Sequence, residues 1–361
     1  MHDFTALQVV WFVLIAVLWV GYFVLEGFDF GVGMLLRVLG HDRADRRALI
    51  HTIGPVWDGN EVWLIVAGGA TFAAFPQWYA TLFSGFYIAL FLVLLALIAR
   101  GVAFEFWGKH EGASWSAAWE WAITIGSFLA ALLWGVAWAN IVHGVPIDQN
   151  GNADGSLTTL LNPYAILGGV TTVLLFLALG AIFLTLRTKG ELPERAARIA
   201  RPAAVAAAAA TVAFLIWTVV DQPHQSGAEI AVSALAGLAA LGLGATAVPG
   251  LRDRAGLAFA LGTATIATLF ATLFVDLFPH TMVSTTNPAY SLTLNASASS
   301  HYTLTVMTIV AVILLPVVLA YQGWTYWVFR HRVGREGFTE NTRNPLDLIA
   351  GRGENDAPAG S

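Results

Sequence analysis

Residues 78–107 read WYATLFSGFYIALFLVLLALIARGVAFEFW, thirty residues with no charged side chain before Arg100 and Glu105. A ~30 Å hydrocarbon core needs only about 20 apolar residues to cross it. The run therefore reads as a membrane-spanning helix that tilts, or extends a few turns beyond one surface. Its charges lie toward one end, and Lys109 follows. That one-sidedness recurs along the whole chain. The 18 Lys and Arg residues fall within 37–47, 100–109, 187–201, 252–254 and 330–352, whereas the polar loops at 146–162, 221–226 and 280–301 contain none. Short loops rich in Lys and Arg stay in the cytoplasm during insertion. The alternation predicts an all-α integral membrane protein of the bacterial cytoplasmic (inner) membrane. Its N-terminus is outside and its C-terminus cytoplasmic.

An odd number of spans is required by that orientation, and nine fit. They are expected at about 7–38, 52–75, 78–107, 116–143, 163–187, 202–222, 227–249, 255–279 and 303–329. The basic stretch between the fifth and sixth invites a grouping into two four-helix bundles plus one extra helix. Residues 1–347 form a single polytopic transmembrane domain in this reading. Residues 348–361, rich in Gly, Asp, Asn and Pro, form a disordered cytoplasmic tail. The first apolar run is too long for a signal peptide and lacks a basic leader, so it is a retained span.

Composition agrees. Hydrophobic residues make up 57%, charged residues 11%, and mean hydropathy is +0.68, against about 25% charged residues in soluble domains. The absence of cysteine excludes disulfides, Cys-ligated iron–sulfur clusters and covalent c-type haem attachment. No glycine-rich phosphate loop, nucleophile elbow or metalloprotease motif is present, and nothing points to nucleic acid. The nine histidines (2, 41, 51, 110, 143, 224, 280, 301 and 331) all fall at expected helix ends, in loops or in tails. A membrane haem held by facing imidazoles is therefore not expected in this chain, nor is a metal site.

Ionisable residues inside the hydrocarbon are costly and mark functional positions. Glu26 and Asp29 lie three apart on the first helix, and Asp58 and Glu61 repeat that spacing on the second. Arg100 lies near the inner end of the third. Short connections make these helices neighbours, so four carboxylates and one guanidinium can converge. One reading is a structural ion-pair network around Arg100. The other is a protonatable route through Asp58, Glu61, Asp29 and Glu26, because four acids facing one cation leave at least one acid able to hold a proton. The contexts are unusual as well. Residues 26–33 (EGFDFGVG) set three glycines beside two acids, which lets another helix approach closely. Residues 54–64 (GPVWDGNEVWL) place Trp57 and Trp63 around the second acid pair, as candidates for packing on a large planar group or a partner subunit. Most of the 14 tryptophans are expected as interface anchors. Residue chemistry alone leaves two classes open, a proton-handling subunit and a secondary transporter with buried carboxylates as ion ligands.

Those two segments, with Ala99-Arg100-Gly101 near the end of the third span, resemble subunit II of cytochrome bd-type quinol oxidases, the CydB family. The resemblance extends over essentially the whole chain in span number and loop placement. It implies a terminal oxidase that oxidises quinol and reduces dioxygen to water with protons taken from the cytoplasm. It also implies that haem b and haem d are ligated by the larger partner, subunit I (the CydA family), with no catalytic residue in this chain. Asp58 is then placed toward the haem region in proton delivery, and Trp63 near an oxygen route from the lipid. Some members hold a structural quinone in subunit II, and a small single-span subunit is a further partner the family allows. Arginine outnumbers lysine 16 to 2, a composition that suggests a GC-rich bacterium with menaquinol as the quinol.

Overall fold

The computed structural model describes residues 4–110, 112–221 and 254–338. α1 (Ala6–Leu39) starts at a capping box. The Thr5 side chain accepts the Gln8 N–H and the Gln8 side chain accepts the Thr5 N–H, which satisfies two otherwise free donors. At 34 residues it is about 50 Å long. A short basic helix, α2 (Arg43–Ile53), follows and is capped by Asp42. Then come α3 (Trp57–Ala74), α4 (Pro76–Gly85), α5 (Tyr87–Phe106), α6 (Ala113–His143), α7 (Pro163–Arg187), α8 (Leu192–Asp221), α9 (Ala255–Leu277) and α10 (His301–Val328).

Among the described residues, seven helices (α1, α5, α6, α7, α8, α9 and α10) are long and apolar enough to cross a membrane. The predicted span at 227–249 and the tail at 348–361 lie outside the described residues. Three predicted boundaries shift. The span expected at 78–107 is two helices, α4 and α5, meeting at Phe86. There Gly155 comes against the Gly85 carbonyl and Thr81 donates to the Gly151 carbonyl at 2.8 Å. Residues 52–53 belong to α2, which leaves Gly54-Pro55 in the turn before α3. α8 begins at Leu192 rather than 202 and carries Pro202 in its interior. Its polar first turns are fixed from outside the helix, since Arg195 pairs with Asp45 of α2 at 2.7 Å.

α1 is the shared strut of the molecule. It packs against α3, α6, α7 and α9, while α5 joins through α6 and α8 through α7. Lipid tails are as apolar as leucine, so close packing and hydrogen bonds hold such helices together. The glycines of 26–33 serve that packing. A Cβ on Gly31 would lie 2.7 Å from Gly180 Cα of α7, and one on Gly27 would lie 2.7 Å from the Phe176 ring. Several tryptophans expected as interface anchors are interior instead. Trp19, Trp134 and Trp138 are buried, with Trp19 edge-on to the other two at 5.1 and 5.2 Å. Phe23 stacks on Phe270 at 3.8 Å in the same cluster. Such aromatic pairs add about 0.5–1.5 kcal/mol each beyond their area.

The two ends of the bundle differ in charge. At one end, β1 (His280–Met282) pairs with β2 (Leu292–Thr293), and the connection after α6 joins them where the Val145 N–H donates to Val283 O at 3.1 Å. No Lys or Arg is present there. At the other end, Arg37 and Arg46 share Glu120 at 2.7 and 3.1 Å, and Arg335 meets Asp42 at 2.7 Å. The Asp45 N–H, helped by Arg335, holds the Asp42 carboxyl below its ordinary range. Reporters fused after His143 and His280 should read external, and those after Lys109 and Arg254 cytoplasmic. A cytoplasmic signal from the 146–162 loop would overturn that orientation.

Candidate functional site

The intramembrane acids gather where α1, α3, α5 and α10 meet, and they sort into two linked groups. In the first, Arg100 of α5 is fully buried and its Nη1 donates to Oε1 of the equally buried Glu26 of α1. Glu61 of α3 lies 4.0 Å from the same nitrogen, with its side chain 22% exposed. The guanidinium sits over the Phe30 and Phe104 rings at 4.9 and 5.1 Å, so aromatic faces supply part of its solvation. Its Nε and Nη2 and the second oxygen of Glu26 have no protein partner. Gly126 of α6 approaches this arginine closely, since a Cβ there would lie 2.7 Å from the Ala96 carbonyl and 3.1 Å from Arg100 Cβ.

The second group is centred on Asn60. Its amide donates to Asp29 Oδ2 at 2.7 Å, and its carbonyl oxygen accepts Tyr326 OH at 2.7 Å and Gln322 Nε2 at 3.2 Å. Gln322 in turn accepts the Trp63 indole N–H at 2.9 Å. The Trp63 ring lies where a Cβ on Gly21 would be, locking α3 to α1. Trp57 packs on Phe104 with ring centres 5.1 Å apart.

Three of the four predicted acids therefore converge, and one stands apart. Asp58 is exposed at the first turn of α3, where the helix dipole favours an acid. It lies one turn from Glu61 and forms no ion pair with Arg100. From Asp58 through Glu61 to Glu26, carboxylates run from an exposed surface into the sealed interior. Sequence reasoning missed Asn60, Gln322 and Tyr326 as site residues. The available signal was the i,i+4 spacing of Gln322 and Tyr326, two polar groups on one face of an otherwise apolar helix.

Above this site an apolar cavity of about 570 Å³ lies between α3, α4, α5 and α6. It is bordered by Leu64, Ile65, Gly68, Leu94 and Trp134, and Trp63 is outside its lining. The described histidines lie at helix ends or in connections, so no pair of imidazoles faces another within the bundle. Among the described residues no cluster of three or more His, Asp or Glu is arranged to hold a metal ion.

Comparison with known proteins places this architecture. A family model described as cytochrome bd terminal oxidase subunit II matches residues 7–329. The cytochrome bd ubiquinol oxidase subunit 2 of Bacillus subtilis (strain 168) is 44% identical over 333 residues, covering 92% of this chain and 98% of that one. The cytochrome bd-I ubiquinol oxidase subunit 2 of Escherichia coli (strain K12) is 37% identical over 377 residues, covering 95% and 100%. A chain in the structure of the bd oxidase from Geobacillus thermodenitrificans superposes with a TM-score of 0.74 at 16% identity, covering 90% and 99%. That last likeness concerns the fold.

Proposed function

The chain belongs to the cytochrome bd terminal oxidase subunit II family, and from that membership we propose that it serves a complex which oxidises quinol and reduces dioxygen to water. In this reading it lies with its basic end in the cytoplasm and binds a haem-bearing subunit I. Haem b and haem d, supplied by that partner, carry the electrons and bind oxygen. This chain delivers protons and shapes access. The family membership displaces the transporter reading of the buried acids.

The observation that carries the proton role is the graded burial of the carboxylates. Asp58 is open at the basic end, Glu61 is partly covered, and Glu26 and Asp29 are sealed. Membrane proteins relay protons along such acids. Arg100 has a structural part in it, since its fixed charge keeps Glu26 and Glu61 together without itself releasing a proton. The exposed side of α3, which carries Asp58 and Gly59, supports this face as the one that meets subunit I, with Trp57 beside it for packing toward the haem region. Dioxygen is small and apolar, and the 570 Å³ cavity beside Leu64 and Ile65 supports an oxygen route through this chain. Trp63, held by Gln322 and seated on Gly21, shapes α3 next to that cavity. Menaquinol as the electron donor, a quinone held in this chain and a small third subunit remain family-level proposals.

Haem content tests the division of labour. The chain purified alone should show no haem absorption, and the chain with subunit I should show the full haem spectrum. Each of the nine histidines, replaced singly, should leave that spectrum intact. Selective loss of one haem band from one such substitution, with assembly preserved, would put a ligand in this chain.

A further inference from the structure

At the basic end, next to the acid site, whose Tyr326 lines the first of them, two cavities share a wall. The first, of about 370 Å³, is almost wholly apolar and is bordered by Val24, Phe28, Phe183, Phe259 and Phe329. The second, of about 420 Å³, is lined by Arg187, Lys189, Arg332, His51 and His331. None of its lining residues is a carboxylate. Arg187 and Phe329 line both, so an apolar slot in the bundle abuts a cationic mouth across these two side chains.

The mouth is built rather than incidental. The segment after α10 is tied to the α7–α8 connection by backbone bonds, Val333 N–H to Arg187 O at 2.8 Å and Lys189 N–H to Val333 O at 2.9 Å. These bonds fix three cationic residues, Arg187, Lys189 and Arg332, along one rim. Arg187 donates through Nη2 to the Phe329 carbonyl, and its buried Nε has no partner. Thr263 Oγ1, in the wall of the apolar slot, is also buried without one. Three acids at this end are engaged elsewhere, Asp42 and Asp45 by Arg335 and Arg195 and Glu191 by Arg195.

We propose that the paired cavities bind one anionic phospholipid, with its phosphate in the mouth between Arg187, Lys189 and Arg332 and an acyl chain in the slot lined by Phe28, Phe183 and Phe259. Several features select that occupant over a free anion. A free phosphate would leave the apolar slot empty, and a wholly apolar molecule would leave the cations uncompensated. The junction also lies at the ends of α7 and α10, two helices long and apolar enough to cross a membrane. Basic pockets between transmembrane helices at a cytoplasmic face hold anionic headgroups in this way. The site is separate from the Glu26–Arg100 centre and does not depend on the proton-route reading.

The test uses the assembled complex, stripped of lipid in detergent and titrated with phosphatidylglycerol while bound lipid is counted by native mass spectrometry. Lys189→Gln/Arg332→Gln should weaken retention of one phosphatidylglycerol about 10-fold or more, in line with the effect of two basic residues near a membrane surface. Both side chains are exposed, so this variant should assemble normally even if Arg187→Gln does not. Phosphatidylcholine should bind at this site much more weakly than phosphatidylglycerol, and inorganic phosphate at millimolar concentration should not displace the lipid. Unchanged retention in the double variant would overturn the proposal, as would equal binding of phosphatidylcholine. Full displacement by inorganic phosphate would show an anion site and not a lipid site.

Discussion

Arg100→Gln is expected to destabilise the protein by about 3–5 kcal/mol and to prevent recovery of an assembled complex. The cost arises because removal of one member of a buried ion pair leaves the other uncompensated. Here Glu26 would be stranded with no exposure at all, and Glu61 would lose the cation 4.0 Å away. Protein yield and thermal unfolding of the detergent-purified complex measure it. A second substitution, Glu26→Gln, should partly restore assembly, because the neutral pair no longer buries a lone charge. Wild-type yield and melting temperature in Arg100→Gln alone would show that the guanidinium is dispensable.

Asp58→Asn is expected to behave in the opposite way, with assembly and haem content intact and quinol oxidase turnover reduced 10- to 100-fold. That factor is roughly 1.4–2.7 kcal/mol on the barrier. The structural cost is small because Asp58 is exposed and has no ion pair with Arg100. What is lost is its contact with the helix dipole, about 0.3–1 kcal/mol. Asparagine keeps the shape and hydrogen-bonding capacity but cannot carry a proton. A proton-limited variant should slow further in heavy water. Normal turnover in a fully assembled Asp58→Asn enzyme would remove Asp58 from the route.

The contrast between these two residues also shows what the sequence could tell. The i,i+3 acid pairs and Arg100 were legible as neighbours, because short connections constrain the helices that carry them. The separation of Asp58 from the sealed group was not, since it depends on how α3 is turned about its own axis. The segregation of Lys and Arg was legible and reappears as two chemically different ends. The break at Phe86 was not, because it depends on Gly155 meeting Gly85 across 70 residues of chain. The span expected from residue 202 starts at Leu192 instead, because the preceding turns are held by Arg195 and Asp45, a contact invisible in local pattern. Asn60 was visible beside the acids, whereas its partners Gln322 and Tyr326 lie more than 260 positions away and carry no motif.

That distance has a consequence for how the protein is made. α10 has a single buried residue, Leu304, yet it supplies both groups that satisfy the Asn60 carbonyl. Synthesis runs from the N-terminus, so α1 and α3 enter the bilayer with Asn60 and Trp63 still lacking those partners. They stay incomplete until α10 leaves the ribosome. A chain truncated before residue 322 leaves the Asn60 carbonyl without Gln322 and Tyr326, and the Trp63 indole without its acceptor. The network thus closes only when α10 arrives, through three hydrogen bonds.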